Sequence, residues 1–424
     1  MDDVQNTEVF KRKISDLGDL DYHTSRGVIL SQKQISSSPR YAYAFLMAGC
    51  DPQKPAYLGF LFNILISAQA LKDRGSKADI IAFVRMAARS NATTLPQRQV
   101  AWLNTMGVQI RYLPKPEEES FFEATILKFR ILELVEYRRV IFLDGDATPL
   151  CNLDYIFELS DGENAVIKEN LIIAGQLSPA NGGFFMLEPG LGRWEEILQI
   201  IKNQQANSRH LPYPHFNETQ GWGHVIEAYD RWEGFKNWKV GRKWDFYGAY
   251  IDQGLLYHYV KYVRQSVAIV TGEATNVVQN WHEGLGSRVQ LEAKVVAPFQ
   301  NYSCMAARIM RGEKCGAHLL FNHSLTNLQP HSDFVHFMGP NKPWKHDLSQ
   351  EPASHRQYWF CMLRTLNGKL NMGIDFTNWK KYSFVFRGKS PLHDAVASIA
   401  AYQNNTSLSR PKFFTPVPTQ EQAS

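Results

Sequence analysis

Between residues 41 and 144 the chain alternates short β-type apolar runs with helix-patterned segments, and this alternation restricts the fold more than any other feature. Residues 41–47, YAYAFLM, read as a buried first strand that the sequence Ala48, Gly49, Cys50, Asp51, Pro52 then breaks. A helix is expected from about Ala56, with Leu58, Leu61, Phe62, Leu65 and Ile66 at helical spacing and Gly75 just past its end. A strand at 79–84, a helix at 96–105 that stops at Gly107, and a strand at 108–112 follow. A third helix is expected over 121–137, where Ala124, Leu127, Ile131, Leu134 and Val135 form one stripe and Phe122, Ile126 and Phe129 widen it. A fourth strand follows at 140–143. The pattern predicts an α/β fold built on a single Rossmann-like sheet, mixed or mostly parallel, with helices on both faces. Ligands of such sheets bind beyond the carboxyl ends of the strands.

The fourth strand ends in two carboxylates, Asp144 and Asp146, with Gly145 between them. Alternate residues of a strand share a side, so the two acids can aim at one point past its end. Gly145 lets the backbone turn there without an intruding side chain. Paired hard oxygen ligands suit Mg²⁺ or Mn²⁺ that carries phosphate oxygens, and an acidic turn capping a strand is the plainer alternative.

Three later stretches carry further polar candidates. In SPANGGFFML (178–187), Asn181, Gly182 and Gly183 allow backbone to approach a ligand closely, or form an ordinary glycine turn. In GAYIDQGLL (248–256), Asp252 and Gln253 begin an apolar helix, where Asp252 would serve as an N-cap. In FVHFMGPNKPW (334–344), His336 lies in an apolar strand before a Gly339–Pro340 turn, a setting that also suits a core histidine. The Trp- and Lys-rich stretch 221–244 fits core packing around an insertion better than a stacking surface.

The chain has 424 residues and a formal net charge of +5, with 46 basic and 41 acidic residues and no long basic run. That balance argues against a nucleic-acid partner. Five cysteines without regular spacing make neither a disulfide framework nor a zinc motif. The charged N-terminus carries no apolar core and no stretch of about 18 apolar residues occurs, so neither a signal peptide nor a transmembrane segment is expected. These features favour a cytoplasmic location, whereas six N-x-S/T sequons, starting at Asn91, Asn217, Asn301, Asn322, Asn404 and Asn405, favour a Golgi lumen. Three parts are expected: a polar arm over 1–40, a main domain over 41–350, and a C-terminal extension over 351–424, disordered in part and with a helix near 353–366.

In order, the stretches resemble glycosyltransferase family 8, the glycogenin-like retaining enzymes. LKFRILELVEYRRVIFLDGDATPLCNLDYIFEL (127–159) is similar to the family's lysine helix, strand, DxD element and following turn. NGGFFMLEP (181–189) is similar to its N-S-G element, DQGLL (252–256) to its D-Q-G/D element, and HFMGPNKPW (336–344) to its H-F-x-G-x-x-K-P-W signature at every fixed position. The resemblance spans about residues 41–350. It implies a GT-A fold and a Mn²⁺-dependent retaining transfer of a hexosyl group from a UDP-sugar, with UDP-glucose the leading donor and Mg²⁺ the alternative ion. Carried over, Asp144, Asp146 and His336 would hold the ion and Lys342, after the Gly339 turn, would contact the diphosphate. Lys128 would contact the donor near its sugar or phosphate, and Gly145 would line the donor site. Tyr57 would stack on uracil, Asn181 and Gly182 would hold the sugar, and Asp252 and Gln253 would sit by the anomeric carbon.

Two departures bear on the partners. The family's loop after the first strand is altered to AGCDPQKP, and 84 positions separate Asp252 from His336, with Tyr302 the only tyrosine between Tyr262 and His336. The resemblance therefore implies a separate glycan, polyol or protein acceptor. A self-glucosylating primer and a nucleotide-sugar-binding protein without turnover stand as alternatives, and a homodimer is open.

Overall fold

The computed structural model describes residues 40–150, 152–158, 160–161, 169–174, 179–207, 216–226, 244, 246, 248–271, 280–283, 334–337, 342–345 and 355–376. The expected N-terminal arm up to residue 39, Cys151, Cys304, Cys315, Tyr302, most of the Trp-rich stretch and the tail beyond residue 376 lie outside the described residues.

Among the described residues, ten strands form two sheets. Strands β1 (Tyr41–Cys50), β2 (Asp79–Met86), β3 (Val108–Leu113) and β4 (Arg139–Asp144) all run parallel. With β6 (Asn170–Ala174), β7 (Phe184–Leu187), β8 (Val267–Thr271) and β9 (Asn280–Glu283) they make an eight-stranded sheet in the order β3-β2-β1-β4-β7-β6-β8-β9. Strand β7 enters antiparallel to both β4 and β6, β8 runs parallel to β6, and β9 turns back on β8. Six strands thus share one direction. This mixed, mostly parallel sheet with helices on both faces is the architecture expected of a GT-A fold. The second sheet is small: β5 (Ala147–Pro149) pairs antiparallel with β10 (Phe334–His336).

The chain order places the carboxyl ends of β1 and β4 side by side where the connection reverses direction, with Leu46 level with Asp144. Crevices of this kind receive ligands in open α/β sheets.

Period-two alternation assigns the two cores. Tyr43, Phe45 and Met47 of β1, with Ile141 and Leu143 of β4, face α1 (Leu58–Asp73), α2 (Gln97–Thr105) and the last helix. Ala42 and Ala44, with Val140 and Phe142, face the opposite way, towards the short helix α3 (Phe121–Ile126). The later helices are, in chain order, α4 (Asp154–Glu158), α5 (Arg193–Asn207), α6 (Asp252–His258) and α7 (His355–Leu370). The second core takes α5 and α6, whereas α7 joins the first core through Trp359, Leu363 and Leu366, each fully buried. Helices α1 and α2 stop where expected, at Gly75 (φ +77°) and Gly107 (φ +66°), conformations that a side chain would strain.

Two expectations are corrected. The first strand does not end at Met47: a bulge at Gly49 (φ +68°) lets it rejoin β2 with Cys50 opposite Met86. The single helix expected over 121–137 is split into α3 and a 3₁₀ run, Leu127–Glu133. Residues 126–132 are buried without interruption, Lys128 and Arg130 included, so this segment has no solvent face and the stripe at helical spacing overstated its regularity.

Among the described residues, no helix is long and apolar enough to cross a membrane.

Candidate active site

Strand β4 delivers Asp144, and a tight turn at Gly145–Asp146 leads straight into β5. A Cβ on residue 145 would lie 3.0 Å from the Leu46 carbonyl and from the Phe60 ring, so the turn fits only with little or no side chain at that position. Strand β10 pairs His336 with Ala147, and the Phe337 amide donates to the Asp146 carbonyl at 2.9 Å. His336 is thereby brought from 190 positions away to the DGD turn. Its Nε2 lies 3.2 Å from Asp146 Oδ1 and 3.8 Å from Asp144 Oδ2. One donor atom from each of the three residues lies within 4.8 Å of the others. Ligands about 2.1 Å from an octahedral ion stand about 3 Å apart, so two carboxylates and one imidazole at these spacings fit a small divalent cation.

Two lysines flank the triad, Lys342 beside Asp146 and Lys128 beside Asp144. Lys342 forms an ion pair with Asp146 and donates to the Phe337 carbonyl at 3.3 Å, while its ammonium lies 5.6 Å from the centre of the Phe60 ring. Lys128 reaches from the 3₁₀ run across the Phe142 ring. Its ammonium lies 3.2 Å from Asp144 Oδ1, donates to the Gly182 carbonyl at 2.9 Å, and also pairs with Asp252 Oδ2. Asp252 opens α6 in its first turn, and Ile251 rather than Asp252 holds the N-cap position.

The Asn181–Gly183 turn meets both halves of the site, the Lys128–Asp252 pair and the His336 side of the triad. Asn181 Oδ1 accepts from the Gly183 amide at 2.7 Å, and the Gly183 carbonyl accepts from the Asp144 amide at 2.9 Å. A Cβ on Gly182 would stand 2.1 Å from Asp252 Oδ2, and one on Gly183 would stand 2.2 Å from His336 Cε1. Gln253 lies over Gly248, whose added Cβ would fall 2.8 Å from its amide nitrogen.

The two acids sit in different fields. Burial raises the Asp144 carboxyl, and with Asp146 beside it this outweighs the pull of Lys128 and His336. Burial works the same way on Asp146, but His336 and Lys342 overcome it and hold that carboxyl well below the usual range. Burial would lower Lys128 and His336. The carboxylates of Asp144 and Asp252 instead hold the lysine above its ordinary value, and Asp146 raises the imidazole.

The structure thus brings together Asp144, Asp146, His336, Lys342, Lys128, Asp252, Asn181 and Gly182. Tyr57 is placed differently: its ring is buried in the first core and its hydroxyl donates to Gln99 Oε1 at 2.9 Å. Gly339 lies outside the described residues. Sequence reasoning passed over Phe60 and gave Gly183 no separate role. The second glycine of the Asn-Gly-Gly triplet was the available signal for Gly183, whereas Phe60 is one apolar residue among many on α1.

No family model matches the chain. UDP-glucuronate:xylan alpha-glucuronosyltransferase 1 of Arabidopsis thaliana is 23% identical over 231 residues, which cover 50% of this chain and 32% of that protein. Galactinol synthase 2 of Solanum lycopersicum is 25% identical over 111 residues, or 20% of this chain and 33% of that protein. The chain spans about a third of the length of the curated relatives it matches. Among solved structures, the glycosyltransferase GlyE of Streptococcus pneumoniae TIGR4 superposes with a TM-score of 0.35 at 14% identity, over 82% of this chain and 64% of that one. The galactosyltransferase LgtC in complex with donor and acceptor sugar analogues gives 0.35 at 14% identity, over 76% and 95%. In its sequence motifs and in its sequence relatives alike, the chain is similar to the glycosyltransferases of family 8.

Proposed function

We propose that the protein is a divalent-metal-dependent retaining glycosyltransferase that moves a hexosyl group from a UDP-sugar to a separate acceptor. The observation that carries this reading is the convergence of Asp144, Asp146 and His336 between two lysines at the carboxyl end of β4. Mn²⁺ suits a donor set of two carboxylates and one imidazole better than Mg²⁺ does, because imidazole is the softer ligand. When bound, the ion would neutralise charge that builds on the departing diphosphate.

The remaining roles belong to the chain itself. Lys342 places a second positive charge beside the triad, where the diphosphate would lie. The bare backbone of Gly182 lets the Asp252 carboxylate approach closely, and Asn181 beside it would help to hold the sugar. Lys128 bridges Asp144 and Asp252, so it fixes the Asp252 carboxylate relative to the ion ligands. Asp252 would hydrogen-bond the sugar or the acceptor hydroxyl as that hydroxyl approaches from the face that UDP leaves. Gln253 carries no charge and can turn its amide dipole towards the developing oxocarbenium-like centre.

The test is UDP release with Mn²⁺ from UDP-glucose, UDP-galactose and UDP-glucuronate, the last included because the first relative above is named for that donor. Release from one donor, reduced at least about 100-fold by Asp146→Ala, is the expected result. Release that Asp146→Ala or chelation leaves unchanged would overturn the metal-dependent reading. Mass spectrometry of the protein after incubation should show no added hexose, and hexose on its own residues would favour the self-glucosylating alternative.

A further inference from the structure

Asp144 and the other two ion ligands ride on different sheets. Asp144 belongs to the eight-stranded sheet, whereas Asp146 and His336 are tied to the pair β5–β10, which has three residues in each strand. So small a pair has little stability of its own and must be fixed from outside. The fixing point lies in the middle of α1. There Asn63 and Ser67, one turn apart, are fully buried among Leu61, Phe62, Ile64, Leu65 and Ile66.

A buried amide in such surroundings is costly unless its polar atoms are paired. Here they are. Asn63 Nδ2 donates to the Ala147 carbonyl at 2.8 Å, and Ser67 Oγ donates to the same carbonyl at 3.3 Å. Asn63 Oδ1 accepts from Thr148 Oγ1 at 2.5 Å and from Trp359 Nε1 of α7 at 2.9 Å. A carbonyl can only accept and an indole N–H can only donate, so these partners fix which way the amide points. Ala147 directly follows Asp146 and stands opposite His336. A leucine at position 63 could fill the core, but it could not hold this carbonyl.

We infer that Asn63 is a positioning residue for the ion site: its amide locks the β5–β10 pair to α1, and through Trp359 to α7, and so sets the spacing of Asp146 and His336 from Asp144. The inference rests on the ion site proposed above. Ion affinity should therefore depend on Asn63 beyond whatever Asn63 adds to stability.

The experiment titrates the whole 424-residue chain with Mn²⁺, follows free Mn²⁺ by electron paramagnetic resonance, and measures each variant's Tm in parallel. Asn63→Leu should bind Mn²⁺ on the order of tenfold more weakly, as when a group that orients a metal ligand is lost. Trp359→Phe removes one hydrogen bond, keeps a smaller aromatic ring in the core, and should weaken binding by a smaller factor; it decides the matter if Asn63→Leu does not fold. Leu65→Ala in the same helix, a cavity control, should lower Tm at least as much while leaving Mn²⁺ affinity within about twofold of wild type. Wild-type affinity in folded Asn63→Leu, or an equal loss in Leu65→Ala, overturns the inference alone. A wild-type protein that binds no Mn²⁺ overturns the ion site and this inference with it.

Discussion

Lys128 is the residue on which the two halves of the site depend. It is buried, and its ammonium answers two carboxylates, Asp144 and Asp252, at once. Removing it leaves both acids without their shared cation, which typically costs about 3 kcal/mol or more for a buried pair. Lys128→Met should therefore lower Tm, and the double variant Lys128→Met/Asp252→Asn should lose less than the sum of the single losses. Chemical denaturation of the four proteins measures that coupling. A second buried group, His258 on α6, is held neutral by burial, helped by His224, and its pKa falls from 6.5 to about 4. The unfolded chain binds this proton first as pH falls. Stability should then decline between about pH 6.5 and pH 4, by up to roughly 3 kcal/mol. In His258→Gln, a pH series of Tm values should be flatter across that window. The sequence made Lys128 readable because a lysine inside an apolar stripe, 16 positions before Asp144, matched a family pattern. Nothing comparable marked His258, whose surroundings come from residues scattered between 224 and 262.

At the level of single elements, the Asn181–Gly183 turn shows how closely the backbone is used. Gly183 leaves no space between itself and the His336 ring, since an added Cβ would fall 2.2 Å from Cε1. Gly183→Ala should push the imidazole away from the two carboxylates and weaken Mn²⁺ binding on the order of tenfold, with far-UV circular dichroism unchanged. The four parallel strands and the first two helices were legible because short apolar runs alternate with helix-patterned segments between residues 41 and 144. The helix expected over 121–137 was not, because a segment buried on every side carries no polar face to set its phase. The strand around His336 was expected, but β5 and its pairing with β10 were hidden. Three-residue strands have too few positions for a periodic signal, and these two lie almost two hundred residues apart in the chain.

For the molecule as a whole, α7 belongs to the main body. Trp359, Leu363 and Leu366 are fully buried in the first core, Lys369 donates to Gln69 Oε1 at 2.7 Å, and the Trp344 and Trp359 rings lie 5.7 Å apart. The sequence indicated the helix and gave no sign of what it covers. Losing a buried tryptophan alone costs about 3–5 kcal/mol, comparable to the whole net stability of many domains. A chain cut after residue 350 should be insoluble or unfold without a cooperative transition, as a thermal melt would show. The long separation between Asp146 and His336 has a consequence for synthesis. A growing polypeptide that has released the DGD turn from the ribosome still lacks its imidazole and Lys342 until nearly two hundred more residues emerge. Through that interval the nascent chain carries an acidic turn but no chelating site. The three residues proposed to hold the ion therefore come together late, after the parallel strands have had time to assemble.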